Sequence, residues 1–270
     1  MLRALIFILL PFSVIGCLPE EDTEDIVNDQ GQKVADPTLR MNGLWDGQLD
    51  QAGYFRVLIY NGNVFGFSDQ RGYYGTVTLD SETDNAVMPS TSYVYSSADE
   101  TALQWTASGS EDDVEFSGLL FTEQRTDDRI VGDYETDLTA GAFELTNDGT
   151  WETNSSLAAI EGAWEAPGYE LYLSQVDEEI SFREVQITTS QIGCTGRGSI
   201  RLIDEDKALY SVQLVERKHC TDFNVTNAPG FAVVNADGAL EFFMKKDEAL
   251  MFSRFVRQPE TEETTETPTE

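Results

Sequence analysis

Tyr54-Phe55-Arg56-Val57-Leu58-Ile59-Tyr60, then Asn61-Gly62-Asn63, then Val64-Phe65-Gly66-Phe67-Ser68 is the stretch on which the fold turns. Two runs rich in β-branched and aromatic residues flank an Asn-Gly pair, which tolerates the positive φ of a tight turn. That is a β-hairpin. The same texture continues outward. Strands are expected at Tyr73–Leu79, Ser92–Tyr95, Ala102–Ala107, Val114–Thr122, Arg129–Thr136 and Ala142–Thr146. The second half adds Tyr169–Gln175, Glu179–Thr188, Gly198–Ile203, Ala208–Glu216, Phe231–Asn235, Ala239–Lys245 and Leu250–Val256, with Asp237-Gly238 as another hairpin turn. No stretch carries the periodicity of a long amphipathic helix. Many short strands at this spacing predict an all-β sandwich or barrel.

The chain also repeats itself. Asn42-Gly43-Leu44-Trp45-Asp46-Gly47 opens the first half and Glu161-Gly162-Ala163-Trp164-Glu165-Ala166 the second. Tyr74-Gly75-Thr76-Val77-Thr78-Leu79-Asp80 answers Arg197-Gly198-Ser199-Ile200-Arg201-Leu202-Ile203-Asp204, and each half closes on an aromatic strand, Ala142–Leu145 and Met251–Phe255. Two tandem small antiparallel β-barrel or sandwich domains are therefore expected, at residues 40–152 and 159–258. The boundary falls between Trp151 and Ala159, where Thr-Asn-Ser-Ser interrupts the strand pattern.

The two ends read differently. Residues 1–16 hold one positive charge at Arg3, a short apolar stretch and Val14-Ile15-Gly16 before Cys17, after which the text turns acidic. This is a secretory signal, too short for a stable membrane span. Residues 17–39 read as a flexible acidic tether with a reach of roughly 25 Å. Residues 259–270, rich in Glu and Thr, read as a disordered acidic tail.

With 49 acidic and 17 basic residues the formal net charge is −32. Such a chain offers no basic patch to neutralise phosphates, so nucleic acid is not an expected partner. The charge itself is expected to serve solubility in a salty medium, with binding of a cation or a basic partner as the alternative. The chain has three cysteines. Cys194 and Cys220 remain if Cys17 is acylated, and an exported compartment permits a disulfide between them, stabilising by roughly 3 kcal/mol.

Chemistry is sparse. His219 is the single imidazole and adjoins Cys220, so neither a nucleophile–base pair nor a zinc site is supplied, and no cofactor or catalytic residue is expected. Contiguous acids at Glu111–Asp113, Asp127-Asp128 and Asp204-Glu205-Asp206 are expected between strands as solvated turns. Asp204, Glu205 and Asp206 are kept as a weak cation candidate, and a paired-carboxylate hydrolase is the third functional class. Tyr54, Tyr60, Phe65, Phe67, Tyr73 and Tyr74 cluster near the first hairpin. Phe65 and Phe67 share one face and read as core lining; outward rings would instead bind sugar or a hydrophobic partner.

Two resemblances rest on these residues. Val14-Ile15-Gly16-Cys17 resembles the lipobox of bacterial lipoproteins, which implies that Cys17 becomes the lipidated first residue and membrane anchor. Leu18, where an inner-membrane retention Asp would stand, implies the outer membrane of a Gram-negative cell. The Gly-x-Trp openings resemble the first strand of calycin barrels, the lipocalin and avidin group. That implies Trp45 and Trp164 as aromatics at a barrel floor, with Arg254 or Arg257 stacking on Trp164 and no Arg matched to Trp45. The expected function is a lipid-anchored, non-enzymatic binding or structural module of the bacterial cell envelope, whose partner is an envelope protein. The alternative is a calycin-like carrier of a small apolar ligand.

Overall fold

The computed structural model describes residues 36–50, 53–99, 104–122, 128–187, 193–221 and 223–259. Within them a 3-10 turn, Pro37–Met41, leads into nine strands: β1 Gly43–Leu49, β2 Gly53–Tyr60, β3 Asn63–Ser68, β4 Arg71–Thr76, β5 Thr78–Leu79, β6 Asn85–Asp99, β7 Gln104–Phe121, β8 Arg129–Thr136 and β9 Ala140–Asn147. A helical turn, α1 Leu157–Ile160, then leads into β10 Gly162–Ala166, β11 Tyr169–Val176, β12 Glu179–Gln186 and β13 Thr195–Leu202. After these come β14 Leu209–Lys218, β15 Val225–Val234, β16 Leu240–Lys246 and β17 Ala249–Arg257. Every pairing is antiparallel, and the strands form one closed β-barrel sheet.

Two rings can be traced through the pairings. The first runs β1-β2-β3-β4-β6-β7-β8-β9 and returns to β1. The second runs β10 to β17 in order and returns to β10. The first hairpin is as expected, with Asn61 and Gly62 both at positive φ between β2 and β3. The repeated segments fall on corresponding strands: β4 and β13 are each fourth in their ring, β9 and β17 each last.

The rings are not separate, because Pro37–Glu270 is one compact unit. One link is β7. It is far longer than expected, since Gln104–Ala107 and Val114–Phe121, expected in two separate strands, belong to a single run. Its first residues leave the first ring with β6 and pair along β17 from Ser253 to Ala249. Lower down, Val256 and Arg257 of β17 pair with β10. The arm thus occupies the edge that the short β10 leaves bare, where unpaired backbone groups would otherwise be exposed.

Side-chain alternation explains the other link. Along β2, Phe55, Val57 and Ile59 enter the core of the first ring. The opposite face, Arg56 and Leu58, is buried too. Along β16, Leu240, Phe242 and Met244 enter the core of the second ring, while Glu241 and Phe243 point the other way and are equally buried. A strand alternates its faces with period two, so a continuous apolar run means that both faces are covered. Here the outer faces meet in a third core holding Leu58, Phe65, Phe67, Trp105, Phe243 and Phe252. Phe65 and Phe67 are core residues, as expected, but of the seam between the rings.

Candidate functional site

Each ring has a floor and a mouth. At the floor of the second, the Trp164 indole N–H donates to the Ile160 carbonyl at 2.8 Å. Trp164 pairs in register with Arg257, whose guanidinium lies 4.5 Å from the indole ring centre. The same guanidinium donates to the carbonyls of Ala159 and Glu161 in the turn before β10. Of the two arginines expected there, Arg257 takes the position; Arg254 bonds Glu241 in the seam. At the floor of the first ring, Trp45 donates to the Met41 carbonyl at 2.9 Å. Its register partner in the last strand is Asn147. Gly43 and Gly162 each precede their Trp by two residues, at φ +148° and +119°. A Cβ there would fall 2.9 Å from Asn147 Nδ2 and 3.2 Å from an Arg257 nitrogen respectively, so glycine admits the crossing side chain.

The two mouths differ more. Cys194, just before β13, and Cys220, just after β14, form a disulfide with Cα atoms 4.2 Å apart. Phe223 in the adjoining loop is buried in the core of the second ring. Beneath it, Arg217 Nε bonds Glu184 Oε2 at 3.0 Å, a buried ion pair inside the barrel. The second mouth is capped.

The first mouth holds a cleft of about 180 Å³. Leu49 of β1, Tyr73 of β4, Val114 of β7 and Tyr134 of β8 form its inner wall. Around them stand Arg71, Ser92, Asp112, Thr136 and Thr139, with Leu138 at the rim, 82% exposed. Ser92, 1% exposed, is the pivot of the polar side: its Oγ accepts from Arg71 Nη1 at 3.5 Å and from the Asp112 amide at 3.3 Å. Burial pushes the Tyr73 hydroxyl above its ordinary pKa, so it presents a neutral phenol. The Tyr134 hydroxyl donates to the Asp50 carbonyl at 2.8 Å, which fixes that ring against the cleft. The lining is thus mixed: a guanidinium, a carboxylate, hydroxyls and two aromatic rings.

A second polar cluster lies in the seam. Arg56, 2% exposed, donates from Nε and Nη2 to Glu241 Oε2 at 3.0 and 2.9 Å, and also meets Asp46 and Asp148. Glu241, 0% exposed, takes further bonds at Oε1 from Arg254 at 2.6 Å and Asn235 at 2.9 Å. Two arginines and three carboxylates tie one ring to the other. These groups bond one another and the adjoining Tyr54, Thr150 and Asn235, which makes the cluster a fastening.

The other expected sites lie apart from both clusters. Cys17 is outside the described residues, as are the signal, nearly all of the tether and the tail from residue 260. Asp204, Glu205 and Asp206 sit on the exposed turn between β13 and β14, where Asp204 Oδ1 accepts from the Asp206 amide at 2.9 Å. Among the described residues no group of three or more His, Cys, Asp or Glu converges for a metal ion. Glu111–Asp113 are not a turn as expected; they lie within β7, which brings Asp112 to the cleft. Sequence reasoning missed Arg71, Ser92 and Tyr134, which come from three different strands and share no local motif.

No protein-family model matches the chain. Nor does any curated protein. Among solved structures, the chain is similar to a protein of unknown function from the DUF3598 family of Nostoc punctiforme, at 8% identity and a TM-score of 0.28, over 82% of this chain and 97% of that one. So loose a likeness carries nothing about function.

Proposed function

We propose that the chain is a non-enzymatic binding module of a bacterial cell envelope, built of two related barrel domains and held at a membrane by lipid on Cys17. The observation that supports a module over an apolar carrier is the filling of both barrels. In the first, the ring centres of Phe55, Tyr73, Phe116 and Phe143 stand 5.4 to 5.6 Å from their neighbours. In the second, Phe182, Phe242 and Phe255 do the same at 6.0 Å. A calycin-like carrier needs interior side chains too small to fill the barrel, leaving space of several hundred Å³. The hydrolase reading draws no support from the cleft, whose lining among the described residues supplies Asp112 and no second carboxylate to pair with it.

The anchor rests on the sequence between Leu2 and Cys17, and Leu18 favours the outer membrane of a Gram-negative cell. A single acyl chain holds only marginally, so a stable anchor needs more than one. Intact mass and membrane fractionation of the chain expressed in a bacterial host, beside Cys17→Ser, test it. A mature mass beginning at Cys17 plus acyl chains, lost with membrane association in the variant, is the expected result. An unlipidated, soluble wild type would overturn the anchor. Saturable uptake of an apolar fluorescent probe, blocked by fatty acid, would instead favour the carrier.

A further inference from the structure

We propose that the cleft at the mouth of the first ring is a binding site for a small, neutral, polyhydroxylated ligand of the size of one sugar ring. This rests on the binding-module reading and gives it a substrate class.

Charge is the first argument. The chain carries a formal −32, yet among the described residues the cleft lining sets one guanidinium, Arg71, against one carboxylate, Asp112. A ligand of either sign would gain from one of these groups and be opposed by the other. An apolar ligand would strip water from both and offer no new partner, a heavy cost for charged groups. Hydroxyl groups both donate and accept, so a polyol meets a guanidinium and a carboxylate equally well.

Geometry is the second. Ser92, almost fully buried, accepts hydrogen bonds from both Arg71 and the Asp112 backbone, and so holds the two on one wall. Beside the charges the wall is made by Tyr73 and Tyr134, with Leu49 and Val114. A sugar ring has the matching division, hydroxyls around its edge and C–H groups on its faces. A few fixed polar groups above an apolar wall are the usual build of a small-molecule site. Size is the third argument, since about 180 Å³ equals the liquid volume of roughly six waters. That space accommodates one ring.

The test is saturation-transfer NMR on the full chain in a sugar-free detergent, with the methyl glycosides of glucose, galactose and mannose as probes. L-Serine serves as the zwitterionic control and acetate as the anionic one. Transfer to at least one glycoside, with none to serine or acetate, is expected. Thr139→Trp, on the exposed turn between β8 and β9, places an indole at the rim and should weaken binding at least tenfold. Asp112→Asn keeps shape but removes charge, and should weaken it about fivefold, the difference between a charge-assisted and a neutral hydrogen bond. Both variants must melt as the wild type does; should Asp112→Asn fail to, Thr139→Trp alone decides. Serine or acetate binding in place of the glycosides would overturn the ligand class. Glycoside binding unchanged in Thr139→Trp, or absent from the wild type, would overturn the site. If crosslinking in membranes then found an envelope partner seated away from the cleft, the module reading would survive and this proposal would not.

Discussion

The two rings share a plan and differ at both ends. At the second floor Arg257 crosses Trp164 and holds the preceding turn by its carbonyls, whereas at the first floor Asn147 takes the same register position against Trp45. Both indole N–H groups are satisfied the same way, by the carbonyl four residues back. The first floor gains a cover from the chain that follows its last strand. After β9 the chain must continue: Asp148 joins the seam through Arg56, and Trp151 packs over Gly43. That turn covers the first floor, so no long cation is needed. At the second floor Arg257 itself lies across the indole and holds the carbonyls of Ala159 and Glu161. The mouths diverge too, the second capped by its disulfide and Phe223, the first left with a cleft. One plan thus yields one shut barrel end and one open one.

The largest expected effect breaks both rings at once. Burial pushes the hydroxyls of Tyr73, Tyr95 and Tyr210 above their ordinary range. An unfolded chain releases these protons near pH 10, so above that pH the folded form binds more protons than the unfolded one. Stability is therefore intact below about pH 10 and falls as pH rises beyond it. Phenolate absorbance should rise together with loss of the β signal in circular dichroism, in one transition. A phenolate step well before unfolding would show that these rings are wetter than their burial implies.

Next comes the seam. Arg56→Ala leaves Glu241 buried with half its cationic partners gone, and should cost about 3–5 kcal/mol in urea unfolding. The double change Arg56→Met with Glu241→Leu should recover most of it, since the fastening gives way to apolar packing. If Arg56→Ala unfolded the rings in two separate steps, the seam rather than the β7 arm would be what makes them one cooperative unit. Reduction of Cys194–Cys220 should cost about 3.5 kcal/mol for its 26-residue separation. Its effect belongs to the second mouth. Hydrogen exchange should quicken around Phe223 and leave the first ring as it was.

Much of this was legible in the residues. The Asn61-Gly62 hairpin, the all-β class, the Gly-x-Trp repeat and the Cys194–Cys220 bridge follow from local chemistry or simple elimination, and the calycin resemblance narrowed the Trp164 stack to Arg254 or Arg257. The fusion of the rings did not follow, although its signal is there. Phe55–Tyr60 and Leu240–Met244 are largely apolar on successive residues, which a half-exposed strand would not be. The long β6–β7 arm hid behind Ser, Gly and acidic residues that imitate a turn. The cleft was not legible for a deeper reason. Arg71, Ser92, Asp112 and Tyr134 meet only because a closed sheet brings distant hairpins around one axis, and no spacing in the chain encodes that.

The smallest effect is the sharpest test of the floors. Arg257→Ala removes a cation–aromatic contact and two carbonyl bonds, but the side chain is exposed, so about 1–2 kcal/mol is expected. Asn147→Ala should cost less, about 1 kcal/mol. Its Oδ1 accepts from the Gly149 amide at 2.9 Å, while its Nδ2 finds no acceptor among the described residues. Deleting that amide loses one hydrogen bond and relieves one orphaned donor, and the second term offsets part of the first. Urea midpoints of both variants read the contrast directly. If Asn147→Ala proved the more damaging, the first floor would depend on its last strand as the second does, and the turn through Trp151 would not be what closes it.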